Sequence, residues 1–321
     1  MLNLIVIGIL SAFFFSSTFV LNRAMSLAGG SWVWTASLRY LYTLLLLSGW
    51  LLVTGQARQL RAILATFRRH WCFWSVAGSV GFGAFYALLT FSSSYAPGWV
   101  VATTWQATIL ASPVVLLMFG HKVPAKGVLF TILIFAGIIS VTVEQAGSAS
   151  AREILLGVLP VIAAAFAYPI GNQLVWEARH GNGRLIPRIE DPAVDSSVGR
   201  VLLMVLGSLP FWIVLVALSQ PAAPSRGQLL NTLLVALFSG VIATVLFYRA
   251  RHSARTPMEM AAVDATQSTE VLFSLLGEIV FLHGRLPGMA GWGGVVLCVV
   301  GLILYIRSQT SESAAILPDS N

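Results

Sequence analysis

The apolar run 260–282, MAAVDATQSTEVLFSLLGEIVFL, carries more chemistry than a membrane-like stretch should. It holds Asp264, Gln267, Glu270, Ser274 and Glu278, with Glu259 at its edge. An acidic side chain at the centre of a bilayer costs about 2.5–3.5 kcal/mol on insertion scales. At about 100° per residue, the five polar groups fall on one arc of about 120°, which should therefore face the interior of a helix bundle rather than lipid. Glu270 lies nearest the middle of the run. A carboxyl group there can take up and release a proton and attract a cation, the chemistry of proton-for-substrate exchange. Asp264, Glu270 and Glu278 are the candidates for substrate or proton coupling. The same acids also fit a structural role, hydrogen-bonded to neighbouring helices.

Other polar residues in apolar surroundings extend the list. Arg39 is the single base well inside an apolar run. Its expected depth matches that of Glu278, so the two could pair; the other readings are substrate contact and snorkelling of the guanidinium to the interface. The stretch TWQATILASP repeats the Gln-small-Thr pattern of ATQSTEVLFS. Gln106 and Thr103 share a side, with Pro113 near it. Gln106, Thr103, Gln267, Ser274, Tyr168 and Asn172 are read as lining a polar cavity, against the alternative of interhelical hydrogen bonds. Pro169 is expected to bend its helix. Trp105 and Tyr86 could stack a flat or cationic ligand.

These residues must be positioned by membrane helices. The 321-residue chain is 57% hydrophobic and 10% charged, with mean hydropathy +0.84. Soluble domains carry roughly 25% charged residues. A helix needs about 20 residues to cross the hydrocarbon. Ten stretches qualify: 2–21, 33–53, 71–91, 97–119, 126–144, 153–175, 198–219, 229–249, 260–282 and 288–306. The first lacks a basic leader and a small-residue cleavage site, so it reads as a span rather than a signal peptide. Two connections are longer, the basic stretch 54–70 and the Gly-, Pro- and charge-rich 176–197. With ten spans, fourteen Lys and Arg fall on one side and four on the other. The positive-inside rule then makes both termini cytoplasmic.

The same bias accounts for the net charge of +7 without nucleic acid as a partner. Cys72 and Cys298 cannot build a metal site or disulfide framework. All five histidines lie at span ends or in loops, and neither HExxH nor a Walker motif is present. No cofactor, metal or catalytic constellation is expected, and the chain does not read as an enzyme. A channel or membrane scaffold is the alternative of another class.

Ten spans divide as five plus five, and an odd number per half places the halves in opposite orientations. Gly127 and Gly137 in the fifth span match Gly291 and Gly301 in the tenth, each pair following a proline, Pro124 or Pro287. The two glutamines fall in the fourth and ninth spans, though their offset differs slightly from that of the glycines. The expected units are residues 1–146 and 147–307, followed by a cytoplasmic tail, 308–321. Gly78, Gly81, Gly83, Ala290 and Gly294 suit close helix packing, within a monomer or between two copies.

SLRYLYTLLLL in the second span, ILLGVLPVIAAAFAYPIGNQ in the sixth and EVLFSLLGEIVFLHGRLPGMAGWGGVVLCVVGLILYI at the end resemble the drug/metabolite transporter superfamily. Within it, the chain looks like the EamA-like group and its multidrug resistance efflux transporters. The resemblance implies an all-α integral membrane protein, a ten-helix inverted-repeat carrier of the bacterial inner membrane. It would export small organic molecules by alternating access, coupled to protons: drug-like cations, amphiphilic metabolites or, on the same plan, amino acids. The chain also departs from the pattern. Gly120-His121 and His283-Gly284 stand where relatives often have Gly-Glu, Val271 follows Glu270 where proline is frequent, and the first span has no acid.

Overall fold

Lipid offers no partner to a backbone N–H or C=O, so a chain this apolar must satisfy its peptide groups within helices or a closed barrel. The computed structural model describes residues 2–121, 125–146, 150–181, 186–254, 259, 263 and 266–316. Among these residues there are helices and no strands. Among the described residues, seven helices are long and apolar enough to cross a membrane: Leu2–Leu27, Trp32–Val53, Trp71–Ser92, Gly98–Met118, Ala151–His180, Ser197–Ser219 and Arg226–Phe247. Helices Ala125–Ala146, Thr269–Leu282 and Met289–Ile316 accompany them. The protein is an all-α membrane protein.

The pattern within the first helix shows why it packs as it does. Gly8, Ser11 or Ala12, Ser16, Phe19, Asn22 and Met25 are buried, recurring every three or four residues. Leu2, Val6, Leu10 and Phe13, on the other side, are exposed. Most of the small and polar groups face protein, where they pack closely and find partners, together with Phe19 and Met25. Ser11 donates to the Ala243 carbonyl, and Asn22 to the Tyr86 hydroxyl.

Several helices are interrupted in their middle. Trp71–Ser92 contains a π-helical stretch, Ser79–Ala84, and Arg226–Phe247 runs into another, Ala236–Ala243. Gly98–Met118 breaks at Gln106, whose N–H bonds the Thr103 carbonyl in a tighter turn. Ahead of Thr269–Leu282 lies a 3-10 turn, Thr266–Ser268, that holds Gln267. Such irregularities release or redirect backbone groups and are frequent at functional sites.

Neighbours recur as well. Trp71–Ser92 packs on Ala151–His180 and Ser197–Ser219; Arg226–Phe247 packs on Leu2–Leu27 and Trp32–Val53. Gly98–Met118 lies on Ala151–His180, and Thr269–Leu282 on Leu2–Leu27. Ala125–Ala146 and Met289–Ile316 pair with each other. A methyl group on Gly137 would sit 2.6 Å from the Gly294 carbonyl oxygen, so these two backbones touch at the glycines the sequence singles out. Gly81 meets Gly171 in the same way.

The structure corrects three expectations. The stretch 54–70 is not a plain connection, because Ala57–Arg69 is a helix with Ile63 and Thr66 buried and its arginines on the other side. At 13 residues, it falls below any span-length window. The helix expected at 153–175 runs on to His180 and remains a single helix through Pro160 and Pro169. Finally, Gln267 does not share one regular helix with Glu270, Ser274 and Glu278, because it lies in the turn Thr266–Ser268 and they lie in Thr269–Leu282.

Candidate functional site

A cavity of about 1070 Å³ runs through the middle of the bundle. Its deep part is lined by Thr18, Arg39, Tyr86, Ser239, Gln267 and Glu270, and its wall by Phe85, Trp105, Gln106, Tyr168 and Asn172. Its mouth is formed by Trp176, Arg179, His180, Asp195 and Arg200. That end also carries Arg58, Arg61, Arg68, Arg69 and Arg188, so the opening lies at the arginine-rich end.

The interrupted helices bring the deep residues together. The break at Gln106 places this glutamine on the cavity while its amide donates to the Ala102 carbonyl, 3.3 Å away. At the second break, the Gln267 amide reaches the Gly8 carbonyl at 3.4 Å. Glu270 follows in the first turn of Thr269–Leu282. Among the described residues, no hydrogen bond or ion pair engages its carboxyl group. The π-helical stretch Ala236–Ala243 presents Ser239, which accepts a hydrogen bond from Arg39 Nη2 at 3.1 Å. The Arg39 guanidinium also lies over the Tyr86 ring, 4.0 Å from its centroid. That contact is attractive because the ring face is electron-rich.

Aromatic rings form the wall. Phe85, Trp105 and Tyr168 cluster with centroids 4.9 to 5.7 Å apart. Tyr40 stacks on Trp212 at 5.5 Å and meets Tyr86 edge-on. At the mouth, Arg179 is paired with Asp195 at 2.7 Å and His180 stacks on Trp176.

The opposite end is packed shut. Glu278, 5% exposed, accepts a hydrogen bond from the Gly98 N–H at 2.9 Å, and Arg23 lies within electrostatic reach. Gly98 opens its helix, so the carboxyl group sits on the partial positive charge of a helix N-terminus. Arg23 donates to the Ser93 carbonyl, and Gln228 bridges the Ser31 carbonyl and Thr35. Glu144 makes a second carboxylate cap, accepting the N–H groups of Gly288 and Gly291 at the start of the last helix.

The candidate residues therefore separate. Arg39, Gln106, Tyr168, Asn172, Gln267 and Glu270 meet at one cavity. Thr103 and Ser274 are fully buried outside its lining; Thr103 bonds the Trp99 carbonyl. Glu278 belongs to the closed end. Asp264 lies outside the described residues. The Arg39–Glu278 pair that the sequence left open is not formed: equal depth on two helices does not make them neighbours, and each group has other partners. Ser239 and Phe85 were missed, although the Ser239-Gly240 pair interrupts an otherwise apolar run.

An all-helical membrane bundle around a polar-floored, aromatic-walled cavity that opens at one end has the build of a membrane transporter. The chain belongs to the EmrE family, described as "Putative multidrug resistance efflux transporter", whose model matches residues 2–311. It is 39% identical over 317 residues to "Uncharacterized protein YjlA" of Bacillus subtilis (strain 168), covering 94% of this chain and 93% of that protein. It is 38% identical over 280 residues to an uncharacterized 42.1 kDa protein of Shouchella clausii, covering 82% of this chain and 69% of the relative. A solved crystal structure superposes with TM-score 0.59 over 97% of this chain and 98% of its own, at 15% identity, a likeness of fold alone.

Proposed function

We propose that this membrane protein is a secondary active transporter that exports small organic molecules by alternating access, coupled to protons. The cavity carries this reading. It is large enough for a drug-sized or metabolite-sized ligand, reaches the middle of the bundle, and is closed beyond Thr18 by a packed, hydrogen-bonded end. In this reading the open end faces the cytoplasm of a bacterial cell, by the arginine excess around it, and the structure is the inward-facing member of the pair of states.

The internal plan supports it. In this reading the helices at Ala125, Thr269 and Met289 join the seven longer ones to make ten, two halves of five in the opposite orientations of an inverted repeat. Under that pairing the two π-helical stretches fall in the third and eighth helices, and the two glutamine breaks in the fourth and ninth. Neighbour relations exchange in the same manner. Two half-bundles hinged on such irregular segments can rock about a central site.

Glu270 is the proton carrier in this scheme. It lines the cavity, has no described partner and lies on a helix that packs against the first half. A proton held there when substrate is absent would leave as a substrate cation arrives. The test is uptake of tetraphenylphosphonium and of an amine panel into proteoliposomes under an imposed pH gradient. Saturable, gradient-driven flux in wild type, reduced at least about 100-fold in Glu270→Gln at equal reconstitution, is expected for a required proton carrier. Full flux in Glu270→Gln would remove it from coupling.

A further inference from the structure

The cavity is lined by a base and an acid that the protein does not pair with each other. Arg39 spends one N–H on Ser239 and rests its face on Tyr86, but no described carboxylate pairs with it. Glu270 lines the same cavity, likewise without a described ion-pair or hydrogen-bond partner. The other charged pair on the lining, Arg179 with Asp195, is satisfied within itself at the mouth. A charge in a partly dry site is costly unless paired. A guanidinium with free N–H groups matches a carboxylate in a planar, two-bonded geometry. A carboxylate without a partner matches an ammonium. The Trp105–Tyr168 aromatic pair lines the same cavity.

We infer that this site is built for a zwitterion with an apolar or flat body, its carboxylate on Arg39 and its ammonium on Glu270, and that Arg39 sets specificity against simple lipophilic cations. The inference rests on the transport reading and narrows its substrate class. A monovalent cation would satisfy Glu270 but add its charge to an unneutralised Arg39. The charge-separated molecule answers both groups at once. When the ammonium arrives at a protonated Glu270, the carboxyl O–H bond breaks, the proton leaves to water at the mouth, and the resulting carboxylate pairs with the ammonium.

Counterflow in proteoliposomes holding the full chain tests this with matched probes: phenylalanine, its methyl ester as the cation, N-acetylphenylalanine as the anion, and tetraphenylphosphonium. Phenylalanine flux at least about tenfold above the ester and the N-acetyl compound is expected, one good charge pair being worth about that factor. Arg39→Gln should remove the preference, lowering phenylalanine flux and raising ester flux as the opposing charge is lost, and Arg39→Lys should restore part of it. Equal thermal stability of the three proteins in detergent excludes misfolding as the cause; if Arg39→Gln does not fold, the comparison of wild type with Arg39→Lys carries the test. Saturable flux of the cations without the zwitterion, unchanged by Arg39 substitution, overturns the inference and leaves transport standing. Absence of saturable flux for all four probes overturns both.

Discussion

Glu278 should act as a latch on the closed end, and its removal is the most direct mechanical test of the structure. Its carboxyl group joins Thr269–Leu282 to the start of Gly98–Met118 through the Gly98 N–H, beside Arg23. A hydrogen bond to a charged group contributes about 1.5–3 kcal/mol, and a buried donor left unpaired costs a similar amount. Taking about 2 kcal/mol for Glu278→Ala, the balance between closed and open at this end shifts about 30-fold. Glu278→Gln keeps a carbonyl acceptor and loses the charge, so its shift should be nearer fivefold. Ser274, fully buried on the same helix and outside the cavity lining, is the reporter position. The assay is the rate of thiol labelling of Ser274→Cys from the closed side, in a background with Cys72 and Cys298 replaced by serine and alanine. Labelling should rise in the order wild type, Gln, Ala. Equal rates in all three, with all three folded, would refute the latch and show that apolar packing alone holds this end.

Three other outcomes follow from the geometry. Gly137→Val places atoms 2.6 Å from a backbone oxygen and from Cys298 Sγ; neither helix can give way cheaply, so thermal stability in detergent should fall by about 2–3 kcal/mol, whereas Gly293→Ala, with open space around it, should be silent. Glu144→Ala removes a carboxylate cap from the last helix and should cost about 1–2 kcal/mol in the same assay. Asp191, in the loop before Ser197–Ser219, is pushed up by burial, but the Thr66 hydroxyl, the Ala193 N–H, Arg69 and His70 more than offset this and hold it below the ordinary carboxylate value. Its contribution is present above the unfolded-state value and lost as pH falls through the lower folded value. Asp191→Asn should therefore cost under about 1 kcal/mol at pH 7, discounted for its exposure, and the gap should close below about pH 4.

Much of the site was legible in the sequence because polar groups in apolar runs stand out. Gln106, Gln267, Glu270 and Arg39 were each visible as anomalies, and all four line one cavity. Their partners were less legible. Glu278 and Arg39 share a depth, but depth along a helix says nothing about which helices adjoin. The single-arc argument for 260–282 assumed an unbroken helix; the turn at Thr266–Ser268 holds Gln267 outside the helix Thr269–Leu282, and along that helix Glu270 reaches the cavity while Ser274 and Glu278 lie outside its lining. The π-helical stretches were invisible because nothing in local propensity marks them, although the first holds Gly81, whose backbone touches Gly171. Ala57–Arg69 escaped because its signal is amphipathic rather than hydrophobic.

The central claim is that one site is reached from each side of the membrane in turn. A single cysteine at Gln267, deep in the cavity and in the half opposite Gln106, measures this directly. Labelling by a membrane-impermeant thiol reagent is followed in right-side-out and inside-out vesicles, again without the native cysteines. The account predicts labelling from both sides, faster from the arginine-rich face in wild type, with the balance moved toward the other face by Glu278→Ala. Labelling from one face only, unchanged by that substitution, would contradict alternating access.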